Sequence, residues 1–162
     1  MWVVTEAKKE DIIAIYEIEK ACFFTPWGID AFYEELMHDY SYLWVAKNAQ
    51  TEEVVGFICF WIIWGEMHIL NLAVKPQLQG RGIGTLLFSK ALELAKRNEV
   101  EWVRLEVRSS NLKAISFYEK FGFRKIGKRR YYYFDTGEDA IVMGLRLKGR
   151  QLRKNFKEVN YA

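Results

Sequence analysis

Residues Leu72 to Thr85 read LAVKPQLQGRGIGT, and the rest of the chain is organised around them. The apolar run from Met67 to Val74 has the composition of a buried strand. Pro76 stops it, because a proline has no N–H to offer a ladder. Gly80, Gly82 and Gly84 then fall at every second position just before an amphipathic pattern, which predicts a strand, a glycine turn and a helix. Glycines at a helix entrance let unpaired backbone N–H groups close on a ligand, and together with the helix dipole these groups attract phosphate. A pyrophosphate site is the first expectation. The plainer alternative is a turn that merely needs glycine.

Spacing excludes two familiar glycine loops. The dinucleotide fingerprint places glycines at the first, third and sixth positions, but the sixth residue is Thr85 counted from Gly80 and Leu87 counted from Gly82. A triphosphatase loop ends in Gly-Lys followed by Ser or Thr, and the chain contains no such tripeptide.

Downstream of the loop, Ile83, Leu86, Leu87, Leu94 and Ala95 share one helical face, with Lys90, Glu93, Lys96 and Arg97 on the other. From Trp102 to Arg108 the pattern alternates. Val103, Leu105 and Val107 point one way, and Trp102, Arg104, Glu106 and Arg108 the other, so this strand opens onto something polar. Ser109, Ser110 and Asn111 offer caps to a short helix whose Ile115, Tyr118 and Phe121 share a face and which Gly122 ends. Two last strands are expected over Phe123 to Asp135 and Glu138 to Leu147, turning at Asp135, Thr136 and Gly137.

Upstream, Trp2 to Val4 reads as a strand. Ile12, Ile15, Tyr16 and Ile18 mark a first amphipathic helix, with Glu17, Glu19 and Lys20 between them on its polar side. A Thr-Pro-Trp-Gly loop around Trp27 separates it from a second helix at Ile29 to Met37. Tyr42 to Lys47 and Val54 to Trp64 form a hairpin, which makes a three-stranded meander with the strand before the glycine loop.

An apolar share of 51% argues against disorder, and 162 residues suffice for one domain with one sizeable core. A net charge of +3 is too small to argue for nucleic acid but suits an anionic cofactor. No apolar stretch reaches membrane-spanning length, and the N-terminus has no basic region before an apolar core. Cys22 and Cys59 cannot make a disulfide framework, so the chain reads as cytoplasmic with reduced thiols. His38 and His68 have no metal-ligand spacing; both read as surface or packing residues, and no metal is expected. Residues 148–162 form a basic tail after a domain spanning 1–147, read as a solvated end or, alternatively, a surface for an acidic partner such as ribosomal RNA.

The hexapeptide Gln79, Gly80, Arg81, Gly82, Ile83, Gly84 resembles the coenzyme A pyrophosphate loop of the GNAT superfamily of N-acetyltransferases. The order of elements is similar to that fold throughout, and Asn111, Ala114, Tyr118, Gly122 and Phe123 resemble a second superfamily pattern. Leu105 to Phe123, the run Tyr131 to Tyr133, Gly137 to Met143 and, more weakly, Trp27 resemble the RimI family, which acetylates the N-terminal alanine of a ribosomal protein.

The resemblance implies a mixed α/β fold with a twisted, mostly antiparallel sheet, splayed middle strands and about four helices. It implies acetyl-CoA as cosubstrate, with the backbone at Leu72, Ala73 and Val74 on the pantetheine arm and acetyl carbonyl, Gln79 to Thr85 on the pyrophosphate, and Asn111 near the thiol. The expected activity is direct transfer of acetyl, in a ternary complex, to the N-terminal amine of a protein; a lysine side chain, polyamine or other small amine is the alternative acceptor. Glu106 is the candidate general base and Tyr118 the candidate general acid. Trp27, Tyr131, Tyr132 and Tyr133 would wall the acceptor groove. Each has a plainer alternative: a salt bridge from Glu106 to Arg104 or Arg108, and ordinary packing for the aromatic residues.

Overall fold

Branched and aromatic residues at two-residue spacing build the strands, and periodic apolar residues build the helices. The computed structural model describes residues 1–147; the basic tail, 148–162, and the partner expected of it lie outside the described residues. In chain order the elements are β1 (Trp2–Glu6), α1 (Ile12–Cys22), α2 (Ile29–Glu35), β2 (Ser41–Asn48), β3 (Val54–Ile63), β4 (Glu66–Val74), α3 (Ile83–Arg97), β5 (Trp102–Arg108), α4 (Leu112–Lys120), β6 (Arg124–Arg129) and β7 (Ala140–Arg146). Short 3₁₀ turns precede α1 at Lys9–Asp11 and follow β4 at Pro76–Leu78. The described strands form one seven-stranded sheet of order β1-β2-β3-β4-β5-β7-β6. Pairings β1/β2, β2/β3, β5/β7 and β6/β7 are antiparallel.

The described residues divide into two compact units, 1–62 with 69–94 and 63–68 with 95–147. In the first, Ile12, Ile15 and Ile18 of α1, Phe32 of α2, Leu43 and Val45 of β2 and Phe57 of β3 form a core. Phe32 meets Phe57 edge to face at 5.4 Å, and burying such a ring stabilises by about 1.5–3 kcal/mol. In the second unit, β5 buries Val103, Leu105 and Val107 and leaves the intervening residues partly exposed, matching the alternation of its sequence. Ile115, Phe123, Met143 and Leu147 are also buried there.

Two local expectations fail. Glu19, assigned to the polar side of α1, is 1% exposed, while Glu17 and Lys20 remain outside and pair at 3.1 Å. The strand expected to run to Asp135 ends at Arg129. Tyr131 adopts φ +52° and donates its N–H to Asp139 Oδ1 at 3.0 Å, which takes the chain out of the ladder. Residues 130–139 form a loop, not the short hairpin turn expected at Asp135 to Gly137.

Candidate active site

In the first unit, β4 delivers the chain through the Pro76 turn to the glycine loop. Gly80 and Gly82 have φ of +82° and +85°, a region that L side chains enter at a cost of about 1–2 kcal/mol. A Cβ at either position would meet nothing within 4 Å, so the loop's outer side is open. Leu86 N–H closes a helical bond onto Gly82 O at 2.9 Å. The N–H groups before it belong to the turn that a helix cannot satisfy internally. Buried Ile83, Leu87 and Phe88 fix the start of α3, while Arg81 and Thr85 are exposed beside the loop. Open N–H groups, a helix N-terminus and an arginine suit a pyrophosphate.

Gln79 turns inward and donates to Val74 O at 3.1 Å, and the Cys22 thiol donates to the same oxygen at 3.1 Å. Leu72 N–H donates to Asn71 Oδ1 at 3.1 Å. Trp27 packs its half-buried ring on Phe32 at 5.2 Å, and its N–H donates to Glu19 Oε2 at 2.9 Å.

In the second unit, Glu106 stands on the partly exposed face of β5 with its side chain 9% accessible. Its Oε1 lies 2.7 Å from Nε2 of His68 on β4. Oε2 is buried and accepts no hydrogen bond among the described residues; Arg129 Nη2 and Arg104 Nη1 stand 3.7 and 3.9 Å away. Burial pushes this carboxyl upward, but the hydrogen bond and charge of His68, then the charges of Arg129 and Arg104, outweigh burial and hold it below its ordinary value. Glu106 is therefore ionised at neutral pH, with one oxygen held and the other available.

Of the salt-bridge alternative for Glu106, the Arg104 partner is present at 3.9 Å, whereas Arg108 is engaged elsewhere. Arg108 instead grips Asp135 with two nitrogens at 2.8 and 2.6 Å, approaches Glu138 at 3.6 Å and lies 4.1 Å over the Tyr133 ring. Arg104 Nε is nearer Glu66, at 3.3 Å, than Arg104 Nη1 is to Glu106. His68, read as a surface or packing residue, is the partner of Glu106; His38, read the same way, stacks on Tyr40 at 5.0 Å.

Tyr118 on α4 is partly buried, with its ring 5.3 Å from Phe117 and 6.0 Å from Phe123. Burial, then the neighbouring Tyr133, push its phenol above the ordinary value, which keeps it protonated. The Tyr133 phenol is pushed up to about 12, chiefly by burial, against the pull of Arg108. Glu106 adds to the upward push on the Tyr133 phenol, and Tyr133 adds to that on Tyr118. Tyr132 and Tyr133 meet edge to face at 5.0 Å, and Arg129 lies 5.7 Å over Tyr132. Tyr131 is 75% exposed. Asn111 caps α4, accepting from Ala114 N–H at 3.1 Å, and is exposed to solvent.

Each unit holds groups of the kind that acyl transfer from a phosphorylated carrier uses: an ionised carboxylate and a protonated phenol in the second, and an open glycine loop suited to phosphate in the first. Residues 12–123 match the model of the acetyltransferase (GNAT) family, and the chain belongs to that family. It is an acetyl-CoA-dependent N-acetyltransferase. A Bacillus subtilis (strain 168) protein, provisionally named a ribosomal protein bS18-alanine N-acetyltransferase, is 40% identical over 142 residues, which are 86% of this chain and 92% of the relative. The ribosomal protein bS18-alanine N-acetyltransferase of Escherichia coli (strain K12) is 31% identical over 147 residues, 90% of this chain and 97% of that one. The crystal structure of the Escherichia coli ribosomal-protein-S18-alanine N-acetyltransferase superposes with a TM-score of 0.83 at 29% identity, covering 90% of this chain and 94% of that chain.

Proposed function

We propose that this enzyme acetylates the N-terminal α-amine of a protein, with a ribosomal protein beginning in alanine as the first acceptor to test. The carrying observation is the setting of Glu106: an ionised carboxylate with one oxygen bound to His68 and the other facing two arginines. Such a carboxylate is a weak base, and the arginines oppose a second cation nearby. An α-amine, with a pKa of about 7.7–8.0, gives up its proton far more readily than a lysine at about 10.4, so this site favours the α-amine over the lysine alternative. The activity named for the two relatives is of the same kind.

Bound acetyl-CoA supplies an acetyl thioester whose carbonyl carbon an amine can attack. Gly80 to Thr85 and Arg81 would hold its pyrophosphate, and the backbone from Leu72 to Val74 its pantetheine arm and acetyl carbonyl. Glu106 accepts the proton lost by the attacking amine, directly or through one water, while His68 fixes its orientation. Tyr118 gives its phenolic proton to the departing sulfur as the C–S bond breaks. Asn111 keeps α4 capped near that end. Trp27 and Tyr131 to Tyr133 flank the acceptor. Both cysteines are free, Cys22 a donor to Val74 and Cys59 buried with its thiol pushed up by burial, which fits direct attack and a cytoplasmic setting.

Mass spectrometry tests this with acetyl-CoA and three acceptors: a peptide with a free N-terminal alanine and an internal lysine, its N-blocked twin, and a polyamine. Acetyl on the free α-amine alone is expected. Acetyl on lysine or polyamine instead would overturn the acceptor class.

A further inference from the structure

Glu19 takes no part in the chemistry above, yet its carboxylate is almost completely withdrawn from water. Its two oxygens are shared between two elements. Oε2 accepts from Trp27 N–H at 2.9 Å, and Oε1 accepts from Asn71 Nδ2 at 2.6 Å. Asn71 passes the connection on, its Oδ1 accepting from Leu72 N–H at 3.1 Å. Among the described residues no ion pair reaches Glu19, so its charge is balanced by neutral donors alone. Burial pushes the carboxyl upward and the two hydrogen bonds only partly offset that push. A buried carboxylate without a cation is a poor source of stability. What this geometry does require is a side chain that accepts on both oxygens.

We infer that Glu19 is a positioning residue: it locks the Trp27 loop to β4 at Asn71, which in turn holds Leu72 N–H, so that one buried carboxylate ties the acceptor wall to the strand that lines the pantetheine arm. The roles given to Trp27 and Leu72 rest on the proposed function; the clamp itself rests on the hydrogen bonds.

Exchanging the two side chains' chemistry tests the clamp. In Glu19→Gln the new amide can satisfy Trp27 only if Asn71 turns over, which leaves Leu72 N–H without its acceptor; otherwise Trp27 N–H loses its own. In Asn71→Asp two carboxylates oppose each other across the 2.6 Å contact. The double variant Glu19→Gln with Asn71→Asp restores every bond. The amide oxygen introduced at position 19 accepts from Trp27 N–H, its amide nitrogen donates to the carboxylate introduced at position 71, and that carboxylate accepts from Leu72 N–H.

Amide hydrogen exchange and initial rates are to be read on all three variants and the native chain. Glu19→Gln should speed exchange at Trp27 or Leu72 about tenfold, the scale of one lost hydrogen bond, and raise KM for the alanine peptide or for acetyl-CoA. Asn71→Asp should do worse, and the double variant should recover both readouts. Should Asn71→Asp fail to fold, the comparison of Glu19→Gln with the double variant decides. Native exchange and KM in Glu19→Gln, or a double variant no better than Glu19→Gln, would overturn the clamp. If the native enzyme acetylates no α-amine, the proposed function fails, and exchange at Trp27 and Leu72 still decides the clamp.

Discussion

Glu19 in the first unit and Glu106 in the second are both carboxylates drawn away from water, and their surroundings drive them in opposite directions. Glu19 meets a backbone N–H and an amide, so burial prevails and its carboxyl is raised. Glu106 meets His68, Arg129 and Arg104, so charge prevails over burial and its carboxyl is lowered. The difference shows that burial alone does not say what a carboxylate is for. Neutral donors on both oxygens suit a clamp, whereas one held oxygen and one without a hydrogen bond suit a proton acceptor.

The contrast is broken most forcefully at Glu106. Glu106→Gln keeps the shape but cannot take a proton; kcat should fall about 10²–10⁴-fold in steady-state assays, with acetyl-CoA affinity retained. Unchanged turnover would remove Glu106 from the chemistry. Tyr118→Phe should lower kcat about 10²-fold while calorimetry shows near-native acetyl-CoA binding. Full activity would make Tyr118 a packing residue. In the first unit, Gly82→Ala forces a Cβ onto φ +85° in open space, so the expected damage is strain of about 1–2 kcal/mol in the loop and roughly a tenfold rise in KM for acetyl-CoA.

The smallest expected effect has opposite signs at the two carboxylates. A lowered carboxyl stabilises the fold above its unfolded value, and that contribution is lost as pH falls through the folded value. The stability gap between native enzyme and Glu106→Gln should therefore shrink on acidification. Glu19 is raised, so its contribution is present at low pH and lost as pH rises through the folded value. The gap between native enzyme and Glu19→Gln should shrink as pH rises. Denaturant titrations across the acid range check both, and slopes of the same sign would contradict the assignment.

Much of this was legible in the chain. The alternation of Trp102 to Arg108 placed Glu106 on the polar face of β5, and the glycines around Arg81 marked a loop that needs left-handed backbone. His68 was not legible as a partner, because which residue of β4 lies beside Glu106 depends on how two separately read strands come together. Glu19 escaped for a related reason: a helical period sorts it with Glu17 and Lys20, and only the position of Asn71, far along the chain, makes burial tolerable. Tyr131 to Tyr133 read as strand because three β-formers outweigh turn signals locally. The Asp139 carboxylate that captures Tyr131 N–H, and the Arg108 grip on Asp135, are tertiary contacts.

In the proposed mechanism a base and an acid of the second unit, rather than a thiol nucleophile, carry the transfer. Cys22 donates its proton to Val74, and burial, then the charge of Glu19, push its thiol up, so neither observation offers a ready thiolate. A matrix of initial rates with acetyl-CoA and the alanine peptide tests this most directly. Intersecting double-reciprocal lines, the pattern of a ternary complex, are predicted. Parallel lines, the pattern of an acetylated enzyme that releases coenzyme A before the peptide binds, would contradict it.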